Sequence, residues 1–286
     1  MKKTKIVAAL AAMALAFTLF SCANSSDSDG GNSSTPDNGG EENKLPEGVI
    51  EFGTWPQSKI KDGVTVDPST VSNLGLLTGY KGSDGAWYVQ AEEDYFKVEP
   101  IQWKCITDDY MNSGKKLYVS VNILDRQAFY DCNIYNYEGD DIDFTDYKNS
   151  SIRAWLNDSQ YTYVGDPEGR DEELGKRYEN CGFLQQAFTE SELEDIAEIE
   201  VKSGCVDKVF LLSTADYNNE DFFENNKARE AERTEYAKAL DTKICYWTRT
   251  PSQENSVYCI TGEGGYTTNA DIGNTDYAVR PAFCMK

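Results

Sequence analysis

Two short stretches constrain the fold class most. Ile101, Trp103 and Cys105 alternate with Gln102 and Lys104, and Leu117, Val119, Val121 and Ile123 alternate with Tyr118, Ser120 and Asn122. A period of two puts each apolar set on one face of an extended chain, so both read as half-buried strands. Residues 209–212 are a continuous apolar run, which reads as a central strand covered on both faces. Residues 49–52, closed by Gly53 and Pro56, read as a short first strand. Residues 245–250, 257–261 and 277–283 read as closing strands, with Gly262, Gly264 and Gly265 turning the chain between the last two. The helical signals are short. Residues 151–157 put Ile152, Trp155 and Leu156 on one side, and residues 234–240 form another helix. Thr189 and Glu192 have capping-box spacing, Phe188 and Leu193 can staple the same turn, and Leu193, Ile196 and Ala197 supply its apolar stripe. Mostly antiparallel strands with short helices make an α+β domain.

The chain starts differently. Lys2, Lys3 and Lys5 precede an apolar run over residues 6–20, and Leu19-Phe20-Ser21-Cys22 follows. The run is short for a membrane span, and its charged start and small residue before Cys22 fit a cleaved signal. The pattern resembles a bacterial lipoprotein signal ending in a lipobox, the motif cleaved before a cysteine that carries lipid. A plain secretory signal is the alternative. The resemblance implies a signal peptide over residues 1–21 and a lipidated Cys22. Ala23 is not the aspartate that retains many lipoproteins at the inner membrane, which points to an outer-membrane or cell-surface position. Residues 22–47, rich in Ser, Asp, Gly and Asn, bury too little apolar surface to offset ordering entropy and read as a disordered linker. Such a chain reaches about 25–30 Å. Residues 48–286 then form a single ectodomain.

Composition narrows what that ectodomain does. The formal charge is −22, and removing the three lysines of the start makes it more negative. That field repels phosphate backbones, so no nucleic-acid partner is expected. Histidine is absent, which excludes Ser-His-Asp and Cys-His catalysis and histidine metal ligands. Eight cysteines are present. With Cys22 given to lipid, Cys105, Cys132, Cys181, Cys205, Cys245, Cys259 and Cys284 are an odd set, so full pairing within one chain is impossible. Buried thiols acting as small hydrophobes are one reading. Cys259–Cys284 is the preferred candidate disulfide, since both lie on late strands.

A set of motifs follows in order: Phe52-Gly53-Thr54-Trp55-Pro56-Gln57, Pro100-Ile101-Gln102-Trp103, Ser151-Ile152-Arg153-Ala154-Trp155-Leu156-Asn157, Ala187-Phe188, Val209-Phe210-Leu211-Leu212-Ser213, Tyr246-Trp247-Thr248-Arg249-Thr250-Pro251 and Val279-Arg280-Pro281-Ala282. Together they resemble an uncharacterised bacterial domain family often fused to lipoprotein or transmembrane starts. The resemblance covers nearly all of residues 48–286. Through its late W-x-R and V-R-P strands it is distantly similar to C-type-lectin-like and formylglycine-generating-enzyme-like folds. Relative to the family, stretches near 73–95 and 158–180 look like insertions. The lectin calcium tripeptide is missing, since Glu99-Pro100 continues with Ile101, so calcium-dependent sugar binding is not carried over.

Phe129, Tyr130, Tyr135, Tyr137, Phe144 and Tyr147 cluster with Asn133, Asn136, Asp140, Asp141, Asp143 and Asp146. Rings with amides and carboxylates suit stacking and directional hydrogen bonds to sugars or peptides. Tyr130, Asn133, Tyr135, Asn136, Tyr137, Asp141 and Asp143 are the candidate ligand contacts. The bland alternative is a solvated acidic loop whose aromatics cover the core. The aspartates offer oxygen ligands for Ca²⁺, without EF-hand spacing, and Ca²⁺ stays open as the lesser alternative; no other metal and no cofactor is assigned. Arg153, Arg249 and Arg280, with Trp155 and Trp247, read as structural: such arginines pair with buried carboxylates or loop carbonyls. No catalytic residue is assigned. The expected function is a surface- or periplasm-exposed lipoprotein, a non-enzymatic binding module for glycan or protein ligands, held to a membrane by its lipid. The alternatives are an envelope-associated hydrolase or oxidase, and a structural envelope protein.

Overall fold

The alternating segment around Trp103 is the middle of the longest strand, β5 (Asp94–Thr107). Ile101 and Trp103 are fully buried there, while Lys104 is exposed. This strand organises the larger sheet of the computed structural model, which describes residues 44–74, 77–130, 143–157 and 182–286. β1 (Val49–Lys59) runs antiparallel along most of β5. β4 (Trp87–Ala91) pairs with the start of β5, and β6 (Lys116–Ser120) with its end. Phe96 therefore has a partner on each side, Lys59 and Val89. β3 (Leu77–Gly82) and β2 (Val66–Leu74) extend the sheet past β4. On the other side β16 (Ala282–Met285) pairs with β6 and carries β11 (Val209–Phe210) and β8 (Ile196–Ala197).

A five-stranded sheet has the order β14 (Tyr266–Asp271), β13 (Ser256–Ile260), β12 (Tyr246–Pro251), β15 (Ala278–Val279) and β7 (Asp125–Arg126). β9 (Ile199–Lys202) and β10 (Cys205–Asp207) form a separate pair. Among the described strands every pairing is antiparallel except β12 with β15. The helices are α1 (Ser151–Leu156), α2 (Phe183–Ala187), α3 (Glu190–Asp195), α4 (Thr214–Tyr217), α5 (Asn226–Arg229) and α6 (Glu235–Ala239). The fold is α+β, a mostly antiparallel sheet structure with short helices. Residues 44–286 form one compact unit.

Local chemistry explains several elements. The first strand does not close at Gly53. It passes through an irregularity there, with Gly53 at φ 65°. A Cβ on Gly53 would lie 2.6 Å from the Phe188 ring and 2.7 Å from the Ala187 carbonyl, so both the backbone angle and the space demand glycine. The Gly53 N–H donates to Glu192 Oε1 at 2.9 Å. The other oxygen of Glu192 accepts from Thr189 N, completing the capping box of α3. One carboxylate thus ties a helix start to a strand bulge. Trp103 Nε1 donates to the Phe52 carbonyl at 2.7 Å on the same seam. Behind it, Trp103 meets Phe283 edge-on at 4.8 Å and Phe52 stacks on Phe283 at 5.4 Å. Such ring pairs contribute about 0.5–1.5 kcal/mol each beyond their burial.

The structure corrects five expectations. The run at residues 209–212 is not a central strand: β11 has two residues and ends the sheet, and the Asn157 side chain pairs with its edge through Val209 N and O. β6 is buried on both faces, because Tyr118, read as polar-side, stacks on Phe283 at 5.6 Å. α3 stops at Asp195 and buries none of its own residues; Ile196 and Ala197 are buried as β8 instead. The glycine turn leads into an additional strand, β14, before the chain's end. The closing segment at 277–283 splits at Arg280-Pro281, and its halves, β15 and β16, lie in different sheets. Pro281 has no N–H to give a ladder, which favours the break there. The stretch near 73–95 falls on β2 to β5, while the one at 158–180 lies outside the described residues.

Candidate functional site

The arginines of the sequence motifs fix what surrounds them. Arg153, on α1, closes its guanidinium on Asp207: Nε donates at 2.8 and 3.0 Å and Nη2 lies 2.7 Å from Oδ1. Asp207 also accepts from Cys205 Sγ at 3.4 Å. Arg249, on β12, meets Asp216 at 3.0 Å and donates to the Tyr110 hydroxyl and the Leu211 carbonyl. Arg280 is buried with no carboxylate against it among the described residues. It donates to the carbonyls of Ser120 and Arg229 and to the Tyr246 hydroxyl, and its cation lies 5.3 Å from the Tyr246 ring. These contacts join three distant segments at the point where the last strand changes sheets. Trp155 packs on Phe183 at 5.4 Å, and Trp247 donates to the Gln127 carbonyl at 2.7 Å while packing on Tyr277.

The aromatic and acidic stretch divides. Asn133, Tyr135, Asn136, Tyr137 and Asp141 lie outside the described residues, as do Cys22, Cys132 and Cys181. Its flanks face inward. Tyr130 is buried and stacked on Phe144 at 4.3 Å, and Phe129 and Tyr147 are fully buried. Asp143 Oδ1 accepts from Thr145 N and Oγ1 at 2.9 and 2.5 Å, the geometry of a turn. Among the described residues no group of three acidic or cysteine side chains is placed to share a metal ion.

The proposed disulfide is not formed. Cys259 and Cys284 are both free and buried, one in the five-stranded sheet and the other in the nine-stranded sheet. Burial pushes both thiols up, Cys284 to about 12, so neither is an available thiolate. Cys105, Cys205 and Cys245 are free as well.

Two features escape a reading of the sequence. The first is an outward tyrosine face. Register puts Tyr80, Tyr88 and Lys97 in one row across β3, β4 and β5, with Gln90 opposite Tyr95 in the next. Their neighbours Val89, Ala91 and Phe96 point the other way and are buried. Tyr80 and Tyr95 meet edge-on at 5.7 Å and remain half-buried, and Thr78 and Gln90 are exposed beside them. Tyr88 is held flat over Gly82, where a Cβ would lie 2.4 Å from its ring, and its hydroxyl donates to Asp84 at 2.8 Å. A depression of about 370 Å³ adjoins this face, lined by Leu77, Thr78, Tyr80, Val89, Gln90 and Glu92, of which Thr78, Tyr80 and Gln90 lie on the tyrosine side. Rings with a hydroxyl and an amide at their edge can cover an apolar face and hydrogen-bond its rim.

The second is Asp125, on β7. It is buried, and desolvation raises its carboxyl to about 7 against the partial relief of the Arg126 N–H, the Arg126 charge and the nearby Trp55 indole. The Trp55 N–H is itself buried and reaches no partner at hydrogen-bonding geometry. Tyr236, from α6, closes the same space.

Among the described residues no helix is long and apolar enough to cross a membrane. No curated protein and no solved structure matches the chain. One family model does, over residues 88–286, which leaves the Phe52–Gln57 motif outside the match although its strand is built into the same sheet. From that match the chain belongs to the family described as a domain of unknown function, DUF6273.

Proposed function

We propose that this is a lipoprotein, tethered through Cys22, whose ectodomain is a non-enzymatic binding module for glycan or protein ligands at the outer membrane or cell surface. The observation that supports the binding reading is the tyrosine face. Its two half-buried rings, Tyr80 and Tyr95, sit on strands beside the buried Tyr88 rather than on a loop, so their spacing is set by the sheet and little ordering entropy remains to oppose a ligand. The depression is shallow and bordered by hydroxyl, amide and aromatic groups, which suits the flat face and hydroxyl rim of a sugar or an extended peptide. The distant similarity to C-type-lectin-like folds points the same way as an analogy of fold only. The reading requires no cofactor.

A glycan and peptide array probed with the purified protein tests it. Ligands found there should lose about tenfold or more in affinity with Tyr80→Ala and with Gln90→Ala, a loss of about 1.4 kcal/mol or more. An array without hits, or hits indifferent to both substitutions, would remove the tyrosine face as the binding surface. Mass spectrometry of the mature chain should find Cys22 acylated; an unmodified Cys22 would end the lipoprotein reading.

A further inference from the structure

A second depression, of about 390 Å³, lies away from the tyrosine face, and three of the residues lining it are lysines: Lys115, Lys208 and Lys286. In a chain with 49 acidic and 27 basic residues this grouping runs against the composition. None of the three makes an ion pair with an acidic side chain among the described residues. Other lysines of the chain do, as Lys59, Lys116 and Lys202 show. The one side-chain carboxylate in the lining is Glu198, which is exposed, as is Lys286.

We propose that this depression is a binding site for an oxyanion of the phosphate or sulfate type. Two of its cations are already held in place. Lys208 Nζ donates to the Leu193 carbonyl at 2.8 Å, and Lys286 Nζ donates to the Glu194 carbonyl. Both carbonyls belong to the last turn of α3, whose orphan acceptors attract cations. An ammonium has three N–H donors, so each of these two keeps donors for a ligand. Lys115 and Lys208 are half-buried, and the floor is the buried pair Ile196 and Ala197. An apolar floor lowers the local dielectric and strengthens each charge-assisted hydrogen bond. Lys115 reaches the same spot from the turn after β5, with its own carbonyl fixed by Tyr110 N at 2.9 Å. Three lysines against one side-chain carboxylate in the lining favour an anion over a cation here. The net charge of the whole chain opposes anion approach, so affinity must come from this short-range geometry. The site does not depend on the tyrosine face or on the lipoprotein reading.

Titration of the purified full chain with inorganic phosphate, followed by ³¹P NMR line width, tests the proposal. Saturable broadening should appear, should weaken about tenfold in Lys115→Gln, and should strengthen in Glu198→Gln. Lys115 has no ion pair to lose, so its substitution is not expected to unfold the chain, and an unchanged melting temperature checks this. Lys227→Gln, an exposed lysine on α5, serves as the control and should bind as the parent does. Vesicles containing phosphatidylglycerol provide a second arm. Absence of saturation, equal affinity in Lys115→Gln and the parent, or a response to vesicles with none to phosphate would each overturn the small-oxyanion site; the last would give the surface to a membrane.

Discussion

Asp216 and Asp125 are both largely buried carboxylates, and their surroundings differ sharply. Asp216 accepts from Ser213 N and Oγ at 2.7 Å, from the Tyr110 hydroxyl at 3.0 Å, and pairs with Arg249 at 3.0 Å. Its charge is answered on every side, and Ser213 and Asp216 also form the capping box of α4. Asp125 has one close donor, the Arg126 N–H at 2.6 Å. The Arg126 guanidinium turns away to Asp276 at 3.4 Å. Two carboxylates of similar burial thus differ in the count and charge of the donors that meet them. One carboxylate ties helix, strand and turn together, while the other leaves a seam between β1, β7 and α6 sensitive to protons.

Breaking the satisfied site should cost most. Arg249→Ala strips the cation from Asp216 and leaves a largely buried charge facing Tyr110 and Ser213. Losing one partner of a buried pair costs about 3–5 kcal/mol. Chemical denaturation should show a loss of that size, and a loss below about 1 kcal/mol would mean that the hydroxyl and backbone donors alone satisfy Asp216.

Asp125 carries an opposite and smaller effect, visible through pH. Its folded-state carboxyl lies above the ordinary value, so the folded state holds the proton more tightly than the unfolded chain. The stability from this group is fully present below about pH 4, falls as pH rises, and is lost by the time pH passes about 7. Asp125→Asn removes the charge and keeps the shape. It should stabilise the protein by about 1–3 kcal/mol at pH 8 relative to the parent and give no gain at pH 4. Melting curves across that range check it. Equal pH slopes in parent and variant would show that Asp125 ionises freely in the folded state.

Much of this arrangement was legible residue by residue where the cause is local. The capping box of Thr189 and Glu192 depends on residues three apart and stands as read. Trp103 and Ile101 alternate with Gln102 and Lys104 because one strand decides their burial. The signal fails where partners come from far away. Asp125 is buried by Trp55 and Tyr236, which lie on β1 and α6, and nothing near it in sequence announces this. Tyr80 and Tyr95 become neighbours only through the register of β3, β4 and β5. Residues 277–283 read as one closing strand, and the crossing from one sheet to the other at Arg280-Pro281 is a property of the whole topology.

The finest test of the comparison separates backbone from charge at Asp125. Arg126 supports that carboxyl in two ways: its N–H donates directly, and its side-chain charge acts from further off. Arg126→Gln keeps the N–H and deletes the charge. The guanidinium is about one-third exposed, so water screens its field and the stability change at pH 8 should stay below about 1 kcal/mol. The titration midpoint of Asp125 should still move upward, because a cation that favoured the ionised form is gone. An unmoved midpoint would assign all the relief to the backbone donor. A large shift would mean that Arg126 does for Asp125 what Arg249 does for Asp216, and the contrast between the two sites would reduce to one of distance.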